Sequence, residues 1–294
     1  MSLLMRLLQE DPEAAHAAGE AAAAGAHAAG HGGKEKFDAG HMILEHILDS
    51  HSLDFHPFGE IPLPQIHLFG MDISITKHVV MMWVASLLVL GVAVFAARIH
   101  SLSPGRLGHL IEMAVLFVRD ELALANIGPH GARYVPYLLS TFLFILFCNL
   151  LGLVPFGSTA TANISVTASL AIMAFFMMQL AGIREYGLVG HFKHLVPAGV
   201  PVWMFPIMIP VEILGMVSKP FALCIRLFAN MMGGHVVILS LLGLIFIMEA
   251  WFVVPISVGF SLFIYMLELL VAFIQAYIFT MLTSLFIGMS IHPH

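Results

Sequence analysis

The sequence predicts an all-α protein that crosses a membrane several times. Three observations carry this. Hydrophobic residues make up 60% of the 294 residues and charged residues 10%, where globular chains average about 45–50% and about 25%. Mean hydropathy is +0.95, too apolar for water to solvate the whole surface. The charges are segregated: residues 1–77 hold 11 of the 18 acids and 4 of the 12 bases, which leaves a membrane body with a net charge of +1 behind an acidic N-terminal segment. The overall charge of −6 argues against a nucleic-acid partner. Cys148 and Cys224 both lie in apolar stretches, so no disulfide framework is expected.

Residues 1–40 are rich in Ala, Gly and His and read as a disordered, low-complexity tail with no packed core. The opening MSLLMRLLQEDPEAA does not read as a signal peptide, because its apolar run is broken by Arg6 and acids follow at once. Residues 41–77 form an extramembrane acidic segment. At its start, 38–51 spaces Met42, Ile43, Ile47 and Leu48 on one face of a short amphipathic helix. His41, His46 and His51 recur every five residues, which walks around a helix rather than along one face. That favours a solvated tail over a metal site, and no metal or cofactor is expected. Residues 78–294 are the membrane domain.

A membrane helix needs about 20 mostly apolar residues. The 20 uncharged residues between Lys77 and Arg98 give span one, about 79–97. The 50 uncharged residues between Arg133 and Arg184 are too many for one helix and make a hairpin, about 136–154 and 164–183. Pro155-Phe156-Gly157-Ser158 and the polar run through Asn163 mark its turn. Between these spans, Leu107, Leu110, Ile111, Ala114, Val115, Val118 and Leu122 form an apolar stripe. With Ser103-Pro104 as a start signal, 103–126 reads as an amphipathic helix on the membrane surface. The stretches 207–248 and 253–289 are about 60 Å and 55 Å long as single helices. They must therefore either tilt strongly through a ~30 Å core or break, at Pro220 or at Gly233-Gly234.

Arg98, Arg106, Arg133, Arg184 and Lys193 fall on one side of these spans, and loops 155–163 and 248–252 carry no Lys or Arg. The positive-inside rule then puts the N-terminus outside and the C-terminus inside.

Ionisable groups inside apolar spans are costly and mark function. Glu212, Lys219 and Arg226 are seven residues apart and share one helix face, with Asn230 one turn beyond Arg226. Lys219 reads as snorkelling to the inner interface. Glu268 and Gln275 repeat the seven-residue spacing on the last helix. An antiparallel hairpin turning near Trp251 sets Arg226 opposite Gln275 and His235 opposite Glu268. An imidazole beside a buried carboxylate can relay protons, because it titrates near ~6.5 and has two nitrogens. Arg226 stays protonated and cannot relay. Without an anion in its own helix, it needs one from elsewhere.

SKPFALCIRLFANMMGGH (218–235), ELLVAFIQAYIFTMLTSLFI (268–287) and NLLGLVPF (149–156) resemble the signature segments of subunit a of F-type ATP synthases. The resemblance covers roughly 78–290. It implies two long, strongly tilted C-terminal helices facing a c-ring, in a bacterial cell (inner) membrane. The implied function is a proton-conducting stator subunit whose two aqueous half-channels couple proton flow to ring rotation and ATP synthesis, with no ATP site of its own. The implied partners are the c-ring, subunit b of the peripheral stalk, the assembled complex and the lipid bilayer.

Residue by residue, Arg226 matches the essential ring-facing charge, and Asn230 and Gln275 the polar ring contact. His235 and Glu268 match the outer half-channel relay, Glu212 the inner half-channel and Asn149 the outer one. Many bacterial relatives carry the carboxylate and histidine the other way round, whereas mitochondrial versions have the order seen here. Two other classes compete. A secondary transporter would use broken polar helices, but the repeat expected of many such folds is not visible. A haem-binding respiratory subunit needs paired membrane histidines, and His235 alone lies deep in an apolar span.

Overall fold

Five helices among the described residues are long and apolar enough to cross a membrane, and they make the body of this computed structural model. It describes residues 52–55, 59–62, 67–68, 71–72, 76–99, 105–154, 159–193, 204–248 and 250–292. The expected tail over 1–40 and amphipathic helix over 38–51 lie outside the described residues. The acidic segment holds two short antiparallel hairpins that the sequence reading did not anticipate. β1 (Ser52–Phe55) pairs with β2 (Gly59–Pro62), and β3 (His67–Leu68) with β4 (Met71–Asp72).

The first span is α1 (Lys77–Ile99). The amphipathic segment begins as α2 (Arg106–Leu116) and continues through a wider π-helical stretch, Phe117–Leu124, and a single turn, Ala125–Ile127. The hairpin follows as α3 (Val135–Leu153) and α4 (Ile164–Lys193), with a 3-10 turn, Ala160–Ala162, between them. Near its end α4 bends at Gly187, whose φ of 70° lies in the left-handed region that glycine adopts without strain. The last two elements are α5 (Phe205–Met248) and α6 (Val253–Ile291). Both run unbroken, about 66 Å and 58 Å long at 1.5 Å per residue. Neither Pro220 nor Gly233-Gly234 interrupts α5, so of the two readings of these stretches the continuous one holds.

α6 is the centre of the bundle. Its buried face runs Ser257, Ser261, Glu268, Ala272, Gln275, Ala276, Phe279, Thr280, Thr283, Ser284, Ile287 and Gly288, a helical stripe of mostly small residues. Small side chains let neighbouring backbones approach closely where lipid gives helices little hydrophobic reason to associate. One apolar cluster joins Val118, Leu122 and Ile127 to Leu138, Ala181 and Ile287. A second joins Ile145 of α3 and Ala174 of α4 to Leu223 and Leu227 of α5 and Ala276 and Phe279 of α6. The predicted amphipathic stripe therefore buries only its second half. Val118 and Leu122 are core, whereas Leu110 is 64% exposed. The π-helical turns add residues per turn and swing the stripe round between the two halves.

α5 differs from α6. Its buried residues are only Leu223, Cys224, Leu227, Met231 and Gly243. Val211, Leu214, Val217, Phe221 and Val237 are all exposed.

Candidate functional site

The polar residues of the last two helices meet along the α5–α6 seam. Because Glu268 and Gln275 fall on the small-residue stripe of α6, both side chains turn into the protein, at 4% and 2% exposure. His235 Nε2 of α5 lies 3.6 Å from Glu268 Oε1. That is within ion-pair range but too long for a hydrogen bond. Neither oxygen of Glu268 has a hydrogen-bond partner among the described residues. A buried carboxyl group left without hydrogen bonds is costly, so it calls for a functional explanation rather than a packing one. Gly234 makes room for it: a Cβ built there would stand 2.6 Å from Glu268 Oε1.

A second contact fixes the seam. Asn230 Nδ2 donates to Gln275 Oε1 at 3.0 Å. The expectation that Arg226 sits opposite Gln275 is thus corrected by one helical turn. Arg226 is partly buried and makes no hydrogen bond or ion pair with any described residue. Glu212 is exposed, about four turns earlier on α5. Lys219 lies with Nζ 5.5 Å from the centre of the Phe286 ring, a cation–π distance.

Asn149 of α3 is fully buried and bonded on both sides of its amide. Its Oδ1 accepts from Thr161 Oγ1 at 2.7 Å, and its Nδ2 donates to the carbonyl of Ala272, one turn beyond Glu268, at 3.3 Å. It thereby ties the Ala160–Ala162 turn to α6. The turn also brings Thr159, whose Oγ1 is hydrogen-bonded to His235 Nε2. Tyr265, three residues before Glu268, donates its hydroxyl to the carbonyl of Leu153 at 2.5 Å. Neither Thr159 nor Tyr265 was singled out from the sequence, and only their place in a polar turn and beside Glu268 hints at them.

A separate polar cluster gathers toward the other end of the bundle. His191 Nε2 lies 2.6 Å from Gln179 Oε1, and Gln179 Nε2 donates to Met216 Sδ at 2.7 Å. Among the described residues no group of three or more His, Cys, Asp or Glu could hold a metal ion.

The arrangement can hold a proton between an imidazole and a carboxyl group at one depth. It also presents an unneutralised guanidinium about two and a half turns from His235, on a helix that is mostly apolar. Comparison with known proteins agrees with the sequence resemblance. The family profile described as ATP synthase A chain matches residues 79–288. "ATP synthase subunit a" of Chloroherpeton thalassium is 50% identical over 262 residues, 87% of this chain and 77% of the relative. "ATP synthase subunit a 2" of Prosthecochloris aestuarii is 49% identical over 282 residues, 94% and 86% of the two chains. "ATP synthase subunit a" of Chlorobium phaeobacteroides is 51% identical over 270 residues, 90% and 78%. With the profile spanning most of the chain and relatives near half identity across most of their own length, the chain belongs to the ATP synthase A chain (subunit a) family.

Proposed function

We propose that this chain is the proton-conducting stator subunit of an F-type ATP synthase, in which Arg226 faces the mid-membrane carboxylate of a c-ring and separates two aqueous half-channels. The observation that carries the reading is Arg226 itself. It is a permanent cation within a 44-residue apolar helix, and no described residue neutralises it. A buried charge with no partner is strongly unfavourable. A carboxylate on a passing ring helix would supply the missing anion, and the broad apolar face of α5 would supply the contact.

In this reading His235 and Glu268 exchange protons in the outer half-channel, and Glu212 lines the inner one. The bond between Asn230 and Gln275 ties the two helices together beside Arg226. Asn149 acts through the backbone, by clamping the 160–162 turn against α6. The N-terminus lies outside and the C-terminus in the cytoplasm of a bacterial inner membrane, and subunit b of the peripheral stalk joins the chain as a stator partner.

The test is proximity in the assembled complex. A cysteine replacing Asn230 should cross-link under oxidation to a cysteine one turn from the ring carboxylate. A cysteine replacing Trp83, on the exposed face of α1, should not. Absence of the first cross-link in intact complex would overturn the ring-facing assignment.

A further inference from the structure

We propose that Thr159 is a positioning residue for proton exchange between His235 and Glu268. Its hydroxyl holds the imidazole so that Nε2 is the nitrogen that faces the carboxyl group. The proposal rests on the reading of His235 and Glu268 as a relay, and it adds the group that aims the relay.

One nitrogen carries both contacts. His235 Nε2 is hydrogen-bonded to Thr159 Oγ1, and the same atom lies 3.6 Å from Glu268 Oε1. A hydroxyl suits this place because it both donates and accepts. When Nε2 is bare, Thr159 donates to it; when Nε2 carries a proton, Thr159 accepts from it. The bond therefore survives both states, and the ring keeps its aim while its charge changes. In the exchange, the one Nε2–H proton of an imidazolium shifts from Thr159 Oγ1 toward Glu268 Oε1, the Nε2–H bond breaks and an O–H bond forms on Glu268 Oε1. Imidazolium and carboxylate become neutral imidazole and carboxylic acid, and the Thr159 hydroxyl turns from acceptor to donor while keeping its own proton.

The groups around the ring fit this. Glu268 faces it from α6, and Thr159 from the turn after α3.

Two further features hold Thr159 in place. Thr161, two residues on, is bonded to Asn149, which is bonded to the carbonyl of Ala272 on the helix that carries Glu268. The turn that presents Thr159 and the helix that presents the carboxyl group are thus fixed to each other. Gly152 leaves the space the side chain occupies, because a Cβ there would overlap Thr159. Thr159 is 3% exposed, so its hydroxyl is committed to the interior.

The experiment measures ATP-driven proton pumping across a pH series, in membrane vesicles containing the whole complex, normalised to assembled complex. Thr159→Val keeps the shape and removes the hydroxyl. It should slow pumping about tenfold to a hundredfold, the scale on which a misplaced reacting group slows chemistry, and should move the pH profile. Thr159→Ser keeps the hydroxyl and should restore most of the rate and the native profile. If Thr159→Val lowers assembly, Thr159→Ala serves for the same comparison. A native rate and pH profile in the valine and alanine variants overturns the proposal, as does a serine variant no better than valine. His235→Leu and Glu268→Leu are measured alongside. If those two pump normally, the relay reading itself fails; if they are impaired while Thr159→Val is native, only the role of Thr159 fails.

Discussion

Asn230 Nδ2 and Gln275 Oε1 are 3.0 Å apart across the α5–α6 seam, one turn beyond Arg226. The bond ties the two amides to each other across the seam, and neither amide is hydrogen-bonded to the guanidinium one turn away.

The first prediction concerns this pair. Asn230→Leu leaves the buried Gln275 oxygen without its donor, which costs about 1–3 kcal/mol. Removing both partners costs less than orphaning one, so Asn230→Leu with Gln275→Leu should be more stable than Asn230→Leu alone. Thermal unfolding of the detergent-solubilised complex measures this. A double variant that loses the full sum of the two single losses would show that the amides do not interact.

The second prediction concerns topology. If all five candidate helices cross, the two ends of the chain fall on opposite sides, and the positive-inside rule predicts the C-terminus inside. Cysteines introduced within 20–40 should react with an impermeant thiol reagent from outside, and cysteines within 290–294 only from inside. Reaction of both from one side rules out five crossings.

Much of this was legible in the sequence because a bilayer imposes simple rules. An uncharged run of 20 residues or more has few alternatives to a spanning helix, so α1 and α3 appear at nearly the expected bounds, whereas α4 starts where expected but runs on past 183 to Lys193. The pairing of His235 with Glu268 was legible for a related reason. Two helices joined by a short turn leave one main unknown, the pivot, and the polar residues themselves constrain it. The same argument missed by one turn at Arg226 and Gln275, because a pivot inferred from side chains carries the uncertainty of the turn that joins the helices. Thr159, Tyr265 and Asn149 were harder to place together. Their contacts with His235, the Leu153 carbonyl and the Ala272 carbonyl cross 76, 112 and 123 residues of chain, and no local pattern encodes such distances. The π-helical stretch was also hidden, because widening a helix leaves its composition unchanged.

The third prediction concerns the outer pair. His235 and Glu268 lie at one depth, so exchanging their identities should keep the pair together, if with altered geometry. The double exchange should pump better than either single change, and replacing either residue by Leu should slow proton uptake from outside. Gly234→Ala should also impair uptake, because its new methyl group would crowd Glu268. A double exchange no better than the worse single variant would break the proposed pairing.

The last prediction concerns Arg226, expected to be the least replaceable side chain in the chain. Its physical task is to be a fixed positive charge where a ring carboxylate passes through low dielectric. A cation within a few Å favours the ionised carboxylate by roughly 1–3 pKa units, so the carboxylate gives up its proton on arrival. The same charge repels a proton moving directly between the half-channels, and so acts as a seal. Arg226→Lys keeps a charge but loses the planar fork, and a buried lysine can shed its proton where arginine cannot. It should nearly abolish ATP-driven pumping. Arg226→Ala removes both charge and seal, so it should abolish pumping and admit a passive proton leak that depends on the assembled membrane sector. Both are read in vesicles, as the acidification driven by ATP and as the decay of an imposed proton gradient. Lys219 cannot stand in: it lies seven residues away on α5, with its ammonium over the Phe286 ring. Coupled pumping at the native rate in Arg226→Ala would therefore refute the mechanism, because no other described cation on α5 or α6 stands at that depth.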